Sequence, residues 1–300
     1  MSAQATSGSA SRGLPAILSD IRFEQTLFSL PFLLLSALVA AGGWPDARVF
    51  GLLLVALVAA RSSAMAFNRF ADAEFDGRNP RTAGRAVPSG RVSRAAMGAF
   101  ALVSAVVFLA AAAALNPLCL WLSPVALLFL IGYSWTKRVT AACHLILGIT
   151  IGIAPLGAWA AVRGTFLGAD GAFEPGVWFL ALGVALWVAG FDVIYACPDA
   201  GKDDDEGLHS IPRRLGVGRA FALSAAMHAA ALVAFGAAGT YFGLGTVYFA
   251  GLGLGAVVLG VEHVLVRPGR YERMGMAFFR LNAVFSLLLL STGAFDVLNG

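Results

Sequence analysis

The sequence predicts an all-α fold: a polytopic membrane helix bundle of about nine transmembrane helices. Three observations predict it. Hydrophobic residues make up 59% of the 300 and charged residues only 13%, against about 25% charged in soluble domains, and the mean hydropathy is +0.79. Apolar stretches of about 20 residues recur along most of the chain, each long enough to cross a hydrocarbon core of about 30 Å. Clusters of Gly, Pro and charge separate them. A soluble protein of buried helices needs polar faces that these segments lack.

The elements follow in order. Residues 1–13 (MSAQATSGSASRG) are small and polar, which predicts a disordered N-terminus over 1–20 and a single membrane domain over 21–300. The first apolar run is too long for a signal peptide. Spans are predicted at 25–43, 48–67, 95–115, 117–134, 143–162, 175–196, 219–240, 246–266 and 275–297. GGWPDAR divides the first two, NPRTAGRAVPSGR the second and third, and the Asn-Pro at 116–117 the third and fourth. RGTFLGADGAFEPG divides the fifth and sixth, and RPGRYER the eighth and ninth. Of the 21 Lys and Arg residues, 17 fall in the N-terminus and the even-to-odd loops; Arg48 and Arg163 fall on the other side, and Arg61 and Arg280 within spans. The positive-inside rule therefore predicts a multi-pass protein of the cell (inner) membrane, with the N-terminus and these loops cytoplasmic.

Cys119, Cys143 and Cys197 form no CxxC pair, and His144, His209, His228 and His263 show no metal-ligand spacing. The polar chemistry lies elsewhere. Asn68, Asp72 and Asp76 in NRFADAEFD stand four residues apart, so a helix aligns them in one stripe about 12 Å long. In GFDVIYACPDAGKDDDEG, Asp192, Asp199 and Asp203 are spaced seven and four apart and share a face if the helix continues. Like charges at i,i+4 repel, so something positive belongs between them. Oxygen-only ligands point to Mg²⁺, which takes one or two carboxylates and completes its shell with water and phosphate oxygens. The neighbouring arginines suit a polyphosphate, since a guanidinium grips two phosphate oxygens at once. Mg²⁺, a diphosphate and a lipid-facing cavity together describe a prenyl diphosphate site.

These motifs resemble a known family. NRFADAEFD is similar to the NxxxDxxxD motif of the UbiA intramembrane prenyltransferases, and DVIYACPDAGKD to their second motif, DxxYAxxDxxxD. YSWTKR (133–138) resembles the family's Tyr-x-x-x-Lys-Arg, and FFRLN (278–282) a further signature. The similarity runs from about residue 20 to the end. Within the family the chain looks most like the 4-hydroxybenzoate polyprenyltransferase group, and EGLHSIP resembles a branch of that group serving menaquinone made through futalosine.

The resemblance implies helices around a central cavity and an electrophilic aromatic substitution in quinone biosynthesis. A polyprenyl diphosphate would prenylate an aromatic acid, 4-hydroxybenzoate or 1,4-dihydroxy-6-naphthoate. It implies one Mg²⁺ on Asp72 and Asp76 and another on Asp199 and Asp203, with Asn68 as a neutral ligand or hydrogen-bond donor. Arg22, Arg69, Lys137 and Arg138 would clamp the diphosphate. Tyr195 would sit near the cation or the acceptor, and Asp192 would be a ligand through water or the base that activates the acceptor. Asn282, with Arg280, is a polar residue inside the last span, functional by default, and is expected to bind substrate. Pro198 removes a backbone donor beside Asp199 and predicts a kink or unwinding there. Beyond its two substrates and the bilayer no partner is expected, neither nucleic acid nor an obligate protein.

The rival class is a cation-coupled transporter, which places carboxylates near the bilayer midplane; here they cluster at one face beside arginines. A CDP-alcohol phosphotransferase needs a DxxDGxxAR run that this sequence lacks.

Overall fold

The computed structural model describes residues 12–21, 28–80, 82–168, 171–201 and 207–300. These residues form helices α1 (Leu14–Asp20), α2 (Leu30–Ala41), α3 (Ala47–Arg78), α4 (Arg94–Leu115), α5 (Pro117–Thr136), α6 (Cys143–Arg163) and α7 (Pro175–Ala196). They continue with α8 (Ile211–Leu215), α9 (Val217–Tyr241), α10 (Thr246–Leu265) and α11 (Asn282–Asn299). No β-strand occurs among the described residues. Among the described residues, eight helices are long and apolar enough to cross a membrane. The first expected span is described over 12 residues as α2, and residues 22–27 lie outside the described residues. Large apolar side chains such as Leu102, Trp121, Leu128 and Val233 are exposed around the bundle, which suits contact with lipid and not with water.

The expectation of disorder up to residue 20 is corrected at its end. Pro15 sits in the first turn of α1, where its missing N–H costs nothing. Ala16, Ile17 and Ile21 are buried against Met65, Ala66, Ala86 and Met97. Residues 1–11 lie outside the described residues.

Helix α3 outruns its predicted span, which ended at residue 67. Asp46 caps its start by accepting from the amides of Arg48 and Val49. Its 32 residues reach about 48 Å at 1.5 Å per residue, well beyond a hydrocarbon core of about 30 Å. The last turns tolerate Gly77, and the helix stops at Asn79, which is extended because Pro80 follows it. The polar motif thus projects from the end of a membrane helix. At the weakly marked Asn116–Pro117 break, the Asn116 side chain accepts from the Cys119 amide at 2.9 Å. Its own amide donates to the Ala160 and Ala161 carbonyls of α6.

Helix α7 is the centre of the bundle and packs against α6 and α9. Trp187 on α7 is fully buried among Phe32, Phe191 and Phe285. Where α6 meets α7 the backbones nearly touch: a Cβ on Gly148 would strike the Ala185 carbonyl, and one on Gly152 would lie 2.7 Å from the Ala181 carbonyl. Small residues permit such close crossings in a bilayer. Gly148→Leu must push the helices apart; a loss of at least about 2 kcal/mol is expected, from overpacking against backbone that cannot shift. Thermal unfolding of the detergent-solubilised protein checks it, and an unchanged midpoint would show that α6 and α7 separate freely.

Candidate active site

The projecting end of α3 lies beside the end of α5, from which Arg138 reaches it. Asn68 donates from Nδ2 to Asp72 Oδ2 at 3.0 Å, and its own carbonyl oxygen accepts from Arg69 Nη1 at 2.9 Å. Arg138, just beyond α5, donates to Asp72 Oδ1 at 2.5 Å and lies 4.6 Å from the Phe75 ring centre. One turn further on, Arg85 reaches both oxygens of Asp76 at 2.6 and 2.7 Å. The positive charge that the acidic stripe requires is therefore present as two arginines, one on each carboxylate. Glu74 points elsewhere: it is exposed and pairs with Arg78 on its own helix.

The loop carrying Arg85 is folded onto the site by a second carboxylate. Asp20 at the end of α1 accepts from the Ala86 amide at 3.2 Å and lies 3.6 Å from Arg69 Nε. Thr82 donates to the Asp76 carbonyl at 3.0 Å. Arg69 is buried, so its pairing with Asp20 and Asn68 compensates its desolvation.

On the other side of the site, Asp192 of α7 lies 2.6 Å from Nδ1 of His144, at the start of α6. The expected distortion at Pro198 is mild: α7 ends at Ala196 and Cys197–Asp199 tighten into a 3₁₀ turn, with Cys197 still helical. Asp199 is half-buried there, and Tyr195 is half-buried against the Ile194 and Phe221 cluster. Lys137 caps α5, and its carbonyl accepts from the His209 amide at 2.7 Å. The His209 carbonyl in turn accepts from Cys143 Sγ at 3.5 Å. The stretch GLHSIP is thereby tied across the ends of α5 and α6.

Tyr133 lies on α5, one turn before Lys137. Beneath it is an apolar cavity of about 330 Å³ between α2, α3, α4, α5 and α6, lined by Leu33, Leu57, Phe108, Phe129 and Ile153. Arg61 also lines it, two turns before Asn68 on the same stripe of α3. Sequence reasoning left Arg61 as a residue within a span and missed the pairings of Arg85 and His144. A cation seven residues before Asn68 was a readable signal for Arg61. None existed for the other two.

Not every candidate converges. Asn282 is fully buried between α7, α10 and α11. Its Oδ1 accepts from Trp187 Nε1 at 2.8 Å, and its Nδ2 donates to Glu262 at 3.1 Å. The expectation of a substrate-binding role thus meets a side chain bonded within the helix core. Arg280 is exposed. Arg22 and Asp203 lie outside the described residues. Among the described residues no three acidic, His or Cys side chains converge as a metal cluster. The donor set fits Mg²⁺ nonetheless, because that ion needs only one or two carboxylates when phosphate oxygens complete its shell.

Fold and site together define a multi-pass membrane protein whose charged groups gather at one end of an apolar cavity. The sequence model of the UbiA prenyltransferase family matches residues 29–284. The chain belongs to that family, and it is a prenyltransferase. The 4-hydroxybenzoate octaprenyltransferase of Alkalilimnicola ehrlichii is 31% identical over 253 residues, covering 84% of this chain and 83% of the relative. That of an Azoarcus species is 33% identical over 260 residues, covering 84% and 86%. Among solved structures, the apo form of a UbiA homolog from Aeropyrum pernix K1 superposes with a TM-score of 0.81 at 35% identity, over 92% of this chain and 99% of that one. A UbiA homolog from Archaeoglobus fulgidus bound to GPP and Mg²⁺ shares the fold, with a TM-score of 0.65 at 15% identity over 95% and 100%.

Proposed function

We propose that the protein transfers a polyprenyl group from a prenyl diphosphate to an aromatic carboxylic acid, with Mg²⁺, at the cytoplasmic side of the cell (inner) membrane. The observation that carries this reading is the stripe of Asn68, Asp72 and Asp76, with an arginine on each carboxylate, at the end of the helix that lines an apolar cavity. The relatives' names and the charge pattern of the loops support the rest. A cation-coupled transporter fits less well, since Asp72 and Asp76 sit at one end of the bundle and each faces an arginine.

Asp72, Asp76, Asp199 and Asp203 are the residues to hold Mg²⁺, which when bound neutralises the leaving diphosphate. Arg69, Lys137, Arg138 and Arg22 would grip phosphate oxygens, and the cavity wall would shield the allylic end of the chain from water. The allylic C–O bond breaks with its electron pair remaining on the diphosphate. A ring carbon of the acceptor supplies the pair for the new C–C bond, and the proton it sheds passes to Asp192.

For the acceptor we favour the bicyclic 1,4-dihydroxy-6-naphthoate. The stretch EGLHSIP that carries this resemblance has its described part tied to Lys137 and Cys143 at the site. The second reading, 4-hydroxybenzoate, is supported by the names of the relatives. Membranes carrying the protein, given a prenyl diphosphate, Mg²⁺ and both acids in competition, decide between them. Preferential prenylation of the naphthoate is expected; preference for the benzoate reverses the acceptor, and transfer to neither overturns the reading.

A further inference from the structure

We infer that His144 is a positioning residue for the base of the aromatic substitution: it fixes Asp192 so that one carboxylate oxygen faces the acceptor. The inference rests on the proposed prenyl transfer, and it starts from helix packing. Gly152 faces Ala181 and Gly148 faces Ala185 and Ala189 across an almost touching pair of antiparallel helices. One more turn along this register brings residue 144 opposite the turn that carries Asp192. There His144 Nδ1 and Asp192 Oδ2 lie 2.6 Å apart.

The pair is asymmetric. The His144 side chain is 3% exposed and that of Asp192 is 23% exposed, so the imidazole is enclosed while the carboxylate stays partly open. Cys143, beside His144, donates to the His209 carbonyl, and the His209 amide donates to the Lys137 carbonyl, so the pair stands next to the Lys137 end of α5. His144 Nε2 is buried and has no hydrogen-bond partner among the described residues. The ring is therefore held by its contact with Asp192 and by packing, which suits a fixed orienter better than a proton carrier. With Nδ1–H donated to Oδ2, Oδ1 is left as the oxygen that accepts the proton shed by the ring, and His144 keeps its own proton throughout. Orientation by a buried hydrogen-bond partner commonly changes activity by about 10- to 100-fold.

The test is kinetic, on the full-length protein in membranes, with a prenyl diphosphate, Mg²⁺ and each acid in turn. His144→Ala is expected to lower kcat by about 10- to 100-fold while KM for the prenyl diphosphate stays within about twofold. His144→Asn, whose Nδ2 can stand where Nδ1 stood, should restore most of kcat, whereas His144→Leu should not. Combined with Asp192→Asn, His144→Ala should add little further loss, because two residues acting as a unit are not additive. Multiplicative losses in the double variant, or an Ala variant with wild-type kcat, would overturn the role of His144 while leaving the transferase reading intact. Equal recovery by Asn and Leu would reduce His144 to packing. A wild-type protein inactive with both acids would instead overturn the transferase reading, and the inference with it.

Discussion

Membranes carrying Asp72→Ala or Asp76→Ala should turn over at least about 10²- to 10³-fold more slowly than wild type, with the protein still inserted. Both side chains are on the stripe that leaves the membrane at the end of α3, and each is held by an arginine from another part of the chain. On the proposed function, removing a carboxylate takes away a ligand for Mg²⁺ and releases a guanidinium next to the diphosphate. Asp199→Ala and Asp203→Ala should cause losses of the same order. Asp76 also anchors the loop of Arg85, so its Ala variant combines a catalytic and a structural loss. Asp76→Asn, close to the same shape, separates them. Glu74→Ala is the internal control, because Glu74 is exposed and pairs with Arg78 along its own helix; turnover within about twofold of wild type is expected for an exposed i,i+4 pair. If Glu74→Ala costs as much as Asp72→Ala, the stripe is not the site.

Chelation carries the other large effect. EDTA should abolish transfer, and Mg²⁺ or Mn²⁺ added back should restore it, since hard oxygen donors accept either ion. A second readout is independent of turnover. With a prenyl diphosphate present, Mg²⁺ should raise the thermal unfolding midpoint, because ligands that bind only the folded state stabilise it by mass action. In the absence of metal, Arg85 and Arg138 already neutralise Asp76 and Asp72, so EDTA alone should leave the midpoint nearly unchanged. Full transfer in chelator would remove the metal from the account.

The sequence by itself determined that this is an all-α membrane bundle, because span length and hydropathy are local properties set by the thickness of the bilayer. It determined the spans to within a few residues, apart from the first, which is described only from Leu30, and the second, which runs on to Arg78. It also placed Asn68, Asp72 and Asp76 on one stripe, since i,i+4 spacing on a helix needs no tertiary information. The paired motifs identified the family for the same reason. Tertiary structure decided which charge meets which. Arg85 faces Asp76 because Asp20 and Thr82 fold the loop back on α3. His144 and Asp192 are 48 residues apart and meet because two glycines let α6 and α7 approach to backbone contact. Tertiary packing also set Asn282 apart from the other candidates, bonding it to Trp187 and Glu262 in the helix core. Periodicity shows that a residue faces inward. Whether it meets a partner or a substrate depends on which other helix lies opposite, at what distance and in which register.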